Sequence, residues 1–236
     1  MEKLYAIIPA YNEQDNIRKV IRDWYDVIAA TGPESRLVVI DDGSRDDTFK
    51  IMQEEAADKP ALIALHKDNS GHGATILFGY RYALENGASF IFQTDSDGQT
   101  LPSEFDLFYK RRYEYEYLIG HRKNRQDGFF RIVTNRVLRY VVRAVFSIDL
   151  KDINTPYRLM TAPLLEDCLR YIPNDFNLSN VLLTVVAARR GYTGLYIPVT
   201  FRNRQGGKNS INVKKIFKIG IKALKDFTAV NKSLEN

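Results

Sequence analysis

Residues 4–44 read LYAIIPAYNEQDNIRKVIRDWYDVIAATGPESRLVVIDDGS. Leu4–Pro9 is a short apolar run of strand length. After Asn12, apolar residues recur at Ile17, Val20, Ile21, Trp24, Val27 and Ile28, the i, i+3, i+4 spacing of one helix face. Gly32-Pro33 ends that helix, Leu37–Ile40 is a second strand, and Asp41-Asp42-Gly43-Ser44 is the turn after it. Strand, helix and strand in 41 residues make one βαβ unit, which implies a parallel pair with a crossover helix.

The alternation continues outward. A helix starts near Asp46 and ends before Pro60; Ala61–Leu65 and Ser89–Thr94 read as buried strands, with a helix over Ala74–Leu84 between them. The expected fold is therefore α/β, a mostly parallel, Rossmann-like sheet flanked by helices, in a single domain. The second half is less regular. Tyr117–Gly120 reads as a strand, an apolar stripe runs from Phe130 to Phe146 with arginines among it, Phe176–Arg190 reads as a helix and Gly194–Thr200 as a strand. A last stripe, Val213, Ile216, Phe217, Ile221, Leu224 and Thr228, has five lysines largely off it. The domain is expected over 1–210, and a basic amphipathic C-terminal helix and tail over 211–236.

Composition excludes several classes. The 236 residues are 44% hydrophobic and 27% charged, as in ordinary soluble proteins, which argues against disorder. The one cysteine, Cys168, excludes a disulfide framework and fits a reducing compartment. The start reaches Pro9 and charges too soon for a signal peptide, and no stretch approaches the ~18 uncharged apolar residues of a membrane span. The net charge of +5 hides an asymmetry: 122–143 carries +6, 202–225 carries +8, and the rest −9. Two basic strips on an acidic body imply anionic partners.

Open α/β sheets bind ligands at the carboxyl ends of their strands. Here those ends run into Pro9-Ala10-Tyr11-Asn12-Glu13, Asp41-Asp42-Gly43-Ser44 and Asp95-Ser96-Asp97-Gly98-Gln99. Each loop alone reads equally as turn and cap chemistry; three acidic loops on one edge repel unless a cation joins them. Asp95 and Asp97, two apart, point the same way on an extended strand end, and hard oxygen ligands plus phosphates suit Mg²⁺ or Mn²⁺. A calcium loop is excluded by Thr100 and Asp106 at its sixth and twelfth positions. The dinucleotide glycine fingerprint and the P-loop are absent, and one Cys with His66, His72 and His121 scattered makes zinc a poor fit.

Ile8-Pro9-Ala10-Tyr11-Asn12-Glu13, then Asp41-Asp42-Gly43-Ser44, then Asp95-Ser96-Asp97, in this order and spacing, resembles the family 2 glycosyltransferases of GT-A fold, and within them the dolichyl- or undecaprenyl-phosphate sugar transferases. The resemblance implies that Pro9, Tyr11, Glu13, Asp41 and Asp42 hold the base and ribose of a sugar nucleotide. It places Asp95 and Ser96 by the nucleotide, and Asp95, Asp97 and Gln99 at the metal. Asn69-x-Gly71-x-Gly73-Ala74 is similar to the family's glycine-containing segment, with backbone approach to the donor and a plain helix start both open. Ile119-Gly120-His121-Arg122 resembles its Gly-Ser-Arg, with His121 a departure. Arg131 and Asn135, with Arg122, are expected at the acceptor phosphate. Asp152-Ile153-Asn154-Thr155-Pro156-Tyr157-Arg158 resembles its Asp…Gly-Phe-Arg stretch, with Pro156 in place of glycine; Asp152 is the candidate base or acceptor-orienting group, or else an ion-pair partner of Arg158. Arg202 and Lys208, with Gln205–Ser210, resemble a late loop closing over the diphosphate.

The implied activity is metal-dependent, inverting transfer of a sugar from a nucleotide diphosphate sugar to a polyprenyl phosphate, with Asp152 and Asp97 as catalytic residues. The alternatives are a sugar-hydroxyl acceptor and a non-catalytic sugar-nucleotide module. A nucleic-acid partner is not expected, because no recognition module accompanies the basic strips. The protein is expected in the cytoplasm, peripheral at the cytoplasmic face of an anionic membrane, with Val213–Thr228 either in the headgroup plane or packed on the body. Oligomeric state stays open.

Overall fold

The computed structural model describes residues 2–122, 129–150, 152–202, 224 and 226–234, with 129–135 as backbone course only. Seven strands, β1 (Leu4–Ala10), β2 (Arg36–Asp42), β3 (Leu62–Lys67), β4 (Phe90–Gln93), β5 (Tyr117–Arg122), β6 (Arg158–Thr161) and β7 (Gly194–Val199), form one sheet in the order β3-β2-β1-β4-β6-β5-β7. All neighbours are parallel except those of β6, which runs against both β4 and β5.

Each face of the sheet has its own core. Leu4, Ala6 and Ile8 of β1 face α1 (Ile17–Ala29), with Met52 of α2 (Thr48–Ala56) and Phe105 and Phe108 of α4 (Phe105–Tyr109). Alternation sends Tyr5 and Ile7 to the opposite core, shared by α3 (His72–Glu85), α5 (Phe129–Phe146), α6 (Ala162–Leu169) and α7 (Ser179–Arg189). The stripe on α1 buries Ile17, Val20, Ile21, Trp24 and Ile28 as its spacing dictates. Trp24 stacks among Phe92, Phe105 and Tyr157, and burying such a ring contributes about 3 kcal/mol. At Gly79 of α3 a Cβ would lie 2.4 Å from the Ile7 side chain, so the glycine is what lets helix and sheet touch.

Pairing of β1 with β4 stops at Ile7↔Gln93, while β2 pairs on through Pro9↔Ile40 and Ala10↔Asp41. Pro9, which lacks an N–H, thus sits where one side of the strand has opened. Strand order reverses at that gap, which is the switch point where α/β ligands bind.

The sequence reading missed β6, α4 and α6. A four-residue strand that opens on a buried arginine shows no periodicity, and Pro163 in the first turn of α6 reads as a breaker although it suits that position. At the other end, residues 226–234 are helical, with Phe227 packed 5.7 Å from Phe146 and 5.9 Å from Phe176. Phe227 and Val230 are buried and Leu224 and Thr228 exposed, so the described part of the expected stripe faces outward and a different pair anchors the helix. Residues 211–223 lie outside the described residues.

Candidate active site

The loops after β1 and β2 are laced together before any ligand arrives. Asn12, at φ 53°, donates its N–H to Ser44 Oγ (2.9 Å) and accepts the Arg45 N–H on Oδ1 (2.8 Å). Next to it the Glu13 N–H reaches Thr48 Oγ1 (2.8 Å), and the Glu13 carboxylate accepts from Asn16 (2.8 Å). Tyr11 is left 43% exposed at the tip.

Asp41 and Asp42 alternate onto opposite faces and both are buried. Asp42 accepts the Lys67 ammonium (2.6 Å) and the N–H groups of Ser70 and Gly71 (both 2.9 Å). Burial alone would raise its pKa, but Lys67 and the Ser70 N–H outweigh it and hold the carboxyl below the usual range. Asp42 thereby shapes the turn that enters α3. Asp41, with no exposed side-chain surface, accepts the Ser44 N–H (3.2 Å) and His66 Nδ1 (2.7 Å).

The Asp95–Gln99 segment corrects one expectation. β4 ends at Gln93, and Ser96-Asp97 lie in a turn passing through Gly98 at φ 70°, so the extended-strand argument for two parallel carboxylates does not apply. Asp97 Oδ1 instead accepts the Gln99 N–H (3.1 Å). Asp95 Oδ1 is buried without a hydrogen-bond partner, 3.6 Å from His72 Nε2 at the start of α3. A buried carboxylate oxygen without a hydrogen-bond partner, with a second carboxylate two residues on, is a hard-donor chemistry that suits Mg²⁺ or Mn²⁺. Among the described residues no three His, Cys, Asp or Glu side chains come together as a metal cluster.

Chain that is distant in sequence closes on this turn. The Arg202 N–H donates to Gln99 O (2.8 Å), Gln99 Nε2 donates to Arg202 O (2.9 Å), and Thr100 bridges Phe201. The exit of β7 is therefore stitched to the exit of the Asp95–Gln99 turn, which brings Arg202 to it.

The reversed strand explains how Asp152 arrives. Because β6 is antiparallel, Arg158 at its start lies beside Gln93, and the lead-in 152–157 falls on the carboxyl edge of β4 and β5. Asp152, at φ 42°, accepts the Arg122 N–H on Oδ2 (3.1 Å), and the Arg122 guanidinium stacks 4.2 Å above Phe201. The alternative pairing of Asp152 with Arg158 does not occur. Arg158 is 1% exposed and spends its five N–H donors on Thr155 O (twice), Ile153 O, Asn180 O and Thr184 Oγ1. Burial pulls its pKa down, and its hydrogen bonds clamp the turn behind Asp152 to α7. Arg131 and Asn135 belong to α5, but their side chains, and all of Lys208 and the rest of Gln205–Ser210, lie outside the described residues.

In the glycine segment, Gly73 packs closely against a neighbouring loop. A Cβ there would stand 2.4 Å from the carbonyl oxygens of Phe176 and Asn177, so its role is contact between α3 and the loop before α7. Lys67, His66 and His72 were not singled out from sequence; the signal was available, since β3 ends and α3 begins on the same edge.

The model of the family described as glycosyl transferase family 2 matches residues 5–171. The undecaprenyl-phosphate mannosyltransferase of Micrococcus luteus is 27% identical over 221 residues, covering 89% of this chain and 88% of its own. The polyprenol monophosphomannose synthase of Mycolicibacterium smegmatis is 26% identical over 229 residues (91% and 83%). An undecaprenyl-phosphate 4-deoxy-4-formamido-L-arabinose transferase of Salmonella paratyphi B is 25% identical over 93% of this chain, which spans 65% of that relative. Among solved structures, glucosyl-3-phosphoglycerate synthase of Mycobacterium tuberculosis with phosphoglyceric acid superposes at a TM-score of 0.69, with 16% identity over 98% of this chain and 80% of that one. The same enzyme with Mn²⁺, UDP-glucose and phosphoglyceric acid gives 0.66, again at 16% identity over 98% and 80%. With its family model spanning well over half of the sequence, the chain belongs to glycosyl transferase family 2 and has the GT-A fold.

Proposed function

We propose that the protein moves a sugar, with inversion, from a nucleoside diphosphate sugar to a polyprenyl phosphate at a membrane surface. The observation that carries this reading is the meeting, on one sheet edge, of the Asp95–Gln99 turn tied to Arg202 with Asp152 tied to Arg122. Two of the relatives are named as undecaprenyl-phosphate transferases and one as a polyprenol monophosphomannose synthase, which supports the acceptor class.

In this reading Pro9, Tyr11 and Glu13 line the nucleoside side, with Asp41 and Asp42 beneath them. Asp95 and Asp97, with Gln99, would hold Mg²⁺ or Mn²⁺; bound there, a divalent cation supplies positive charge to the diphosphate leaving group. Arg202 and Lys208 add cationic donors to the same oxygens, where charge grows as the glycosidic bond breaks. The acceptor approaches from the opposite side of the sugar. A phosphate monoester is already an anionic nucleophile, so Arg122, Arg131 and Asn135 serve to orient it, and Asp152 orients the acceptor against Arg122. A hydroxyl acceptor is the second reading, favoured by Asp152 itself, since a carboxylate at that edge is the base such an acceptor needs.

For membrane contact, the outer face of α5 presents Arg136, Arg139, Tyr140 and Arg143 around a groove of about 240 Å³. Arg139 is paired with Asp149 (2.7 and 2.8 Å), leaving the face net cationic. Among the described residues no helix is long and apolar enough to cross a membrane, so contact would be peripheral through this face and 213–228. Anionic liposomes should sediment the protein in a salt-dependent way; no binding at low salt removes the membrane part of the reading.

The acceptor is tested by incubating the protein with a panel of labelled nucleotide sugars, Mn²⁺ and polyprenyl phosphate. Label in the organic phase is expected. Label found only on added glycan acceptors supports the second reading, and nucleotide binding without transfer to any acceptor supports the non-catalytic one.

A further inference from the structure

Asp41 has no exposed side-chain surface, so a ligand on this edge meets what Asp41 holds rather than Asp41 itself. What it holds is His66. The two residues are partners in the β2–β3 ladder, and Ala10 is the partner of Asp41 in the β1–β2 ladder. Ala10, Asp41 and His66 thus form one rung across three strands at their carboxyl ends. Ala10 and His66 are the two ends of that rung, roughly 10 Å apart at two strand spacings, and Tyr11 follows Ala10 out of the sheet. Tyr11 is 43% and the His66 side chain 47% exposed, and the His66 ring lies 4.9 Å from that of Phe49.

The chemistry of the pair is directional. A carboxylate only accepts, so the short contact from Asp41 Oδ2 to His66 Nδ1 places the imidazole proton on Nδ1. In the neutral ring the other nitrogen, Nε2, is then a bare acceptor. Among the described residues it has no hydrogen-bond partner and it is not among the buried unsatisfied atoms, so it is open to solvent at the carboxyl end of β3.

We infer that His66, oriented by Asp41, reads the edge of the donor's nucleobase and selects a base that offers a ring N–H. Guanine N1–H and uracil N3–H meet an acceptor nitrogen, whereas adenine N1 and cytosine N3 set lone pair against lone pair. The inference rests on the reading above that the donor nucleoside lies over the ends of β1–β3. His66 is then the specificity residue and Asp41 its positioning residue.

Asp41→Asn tests the direction. The Ser44 N–H needs an oxygen, so the amide keeps its carbonyl there and turns its NH₂ toward His66 Nδ1. The ring proton then moves to Nε2, and the preference inverts toward bases with an acceptor nitrogen.

The experiment is calorimetric titration of the full chain with GDP, UDP, ADP and CDP in Mg²⁺ at about pH 8, where imidazole is neutral. Circular dichroism confirms that each variant is folded. GDP or UDP should bind about tenfold or more tighter than both ADP and CDP. In His66→Ala that gap should fall below about threefold, and in Asp41→Asn it should shrink or reverse toward CDP and ADP. A gap undiminished in His66→Ala overturns the inference, as does wild-type protein that binds all four alike. Binding of none of the four overturns the donor reading, and this inference with it.

Discussion

The two halves of the sheet build the site by different means. On the amino-terminal side, β1 to β4 are all parallel, and their loops are held by many short contacts from one loop to the next: Asn12 with Ser44 and Arg45, Glu13 with Thr48, Asp42 with Lys67, Ser70 and Gly71. On the carboxyl-terminal side, position depends on one reversed strand and one buried guanidinium, with Arg158 gathering the 153–155 turn and α7 around itself. A distributed lattice tolerates the loss of one member, whereas a hub does not. The nucleotide side should therefore fail by degrees and the acceptor side abruptly.

The largest effect is expected where chemistry, not architecture, is removed. Asp97→Ala takes away a carboxylate in a turn outside both cores, where it caps the Gln99 N–H, so the fold should persist while transfer falls about 10³-fold. Circular dichroism and the transfer rate, measured on one sample, check it; near wild-type activity without added metal breaks the metal-dependent reading.

Arg158→Met sharpens the comparison itself. It leaves the carbonyls of Ile153 and Asn180 without this donor and is expected to lower stability by about 3 kcal/mol in urea titration. Surviving folded enzyme should lose turnover at nearly unchanged donor KM, since Asp152 and not the nucleoside side is displaced. A raised donor KM with normal turnover would put the hub on the wrong side.

Gly73→Ala acts at the seam between the halves. The added methyl meets the Phe176 and Asn177 carbonyls, and the resulting shift should cost about 2 kcal/mol, read as a lower thermal midpoint. No change would mean that the loop before α7 yields freely.

The effect that vanishes near neutral pH lies far from the chemistry. Glu55, 3% exposed, is held by Arg18, Arg22 and Lys59. Burial would raise its pKa, but Arg22, Lys59 and Arg18 together pull it down to about 2. A depressed carboxyl stabilises the fold above its unfolded value near 4.5, and that contribution is lost as pH falls toward about 2. Wild type should therefore lose up to ~3 kcal/mol over that window, and Glu55→Gln should flatten that part of the profile without altering activity near neutral pH.

The same contrast sets how much was legible in the sequence. In the first hundred residues each element repeats a period long enough to read, and observed strands and helices fall within a few residues of expectation. β6 is four residues long and begins with an arginine whose burial is decided by carbonyls up to 22 positions away, which no local pattern carries. At the site, Asp95 and Asp97 were readable as residue types at a strand end, and Asp152 from the resemblance of its stretch to the family's. Their geometry was not, because a turn replaced the extended strand and Arg122 replaced Arg158 as the partner of Asp152. His66 read as a stray histidine because its meaning lies in the strand register.

The central claim is that the donor's nucleoside and the acceptor are handled by different halves of one edge. Steady-state kinetics of Arg131→Ala, with nucleotide sugar and polyprenyl phosphate each varied, tests it most directly. Loss of a charge-assisted contact of roughly 1.5–3 kcal/mol should raise the acceptor KM by about tenfold or more and leave the donor KM nearly unchanged. A raised donor KM with an unchanged acceptor KM would contradict the division and move Arg131 to the nucleotide.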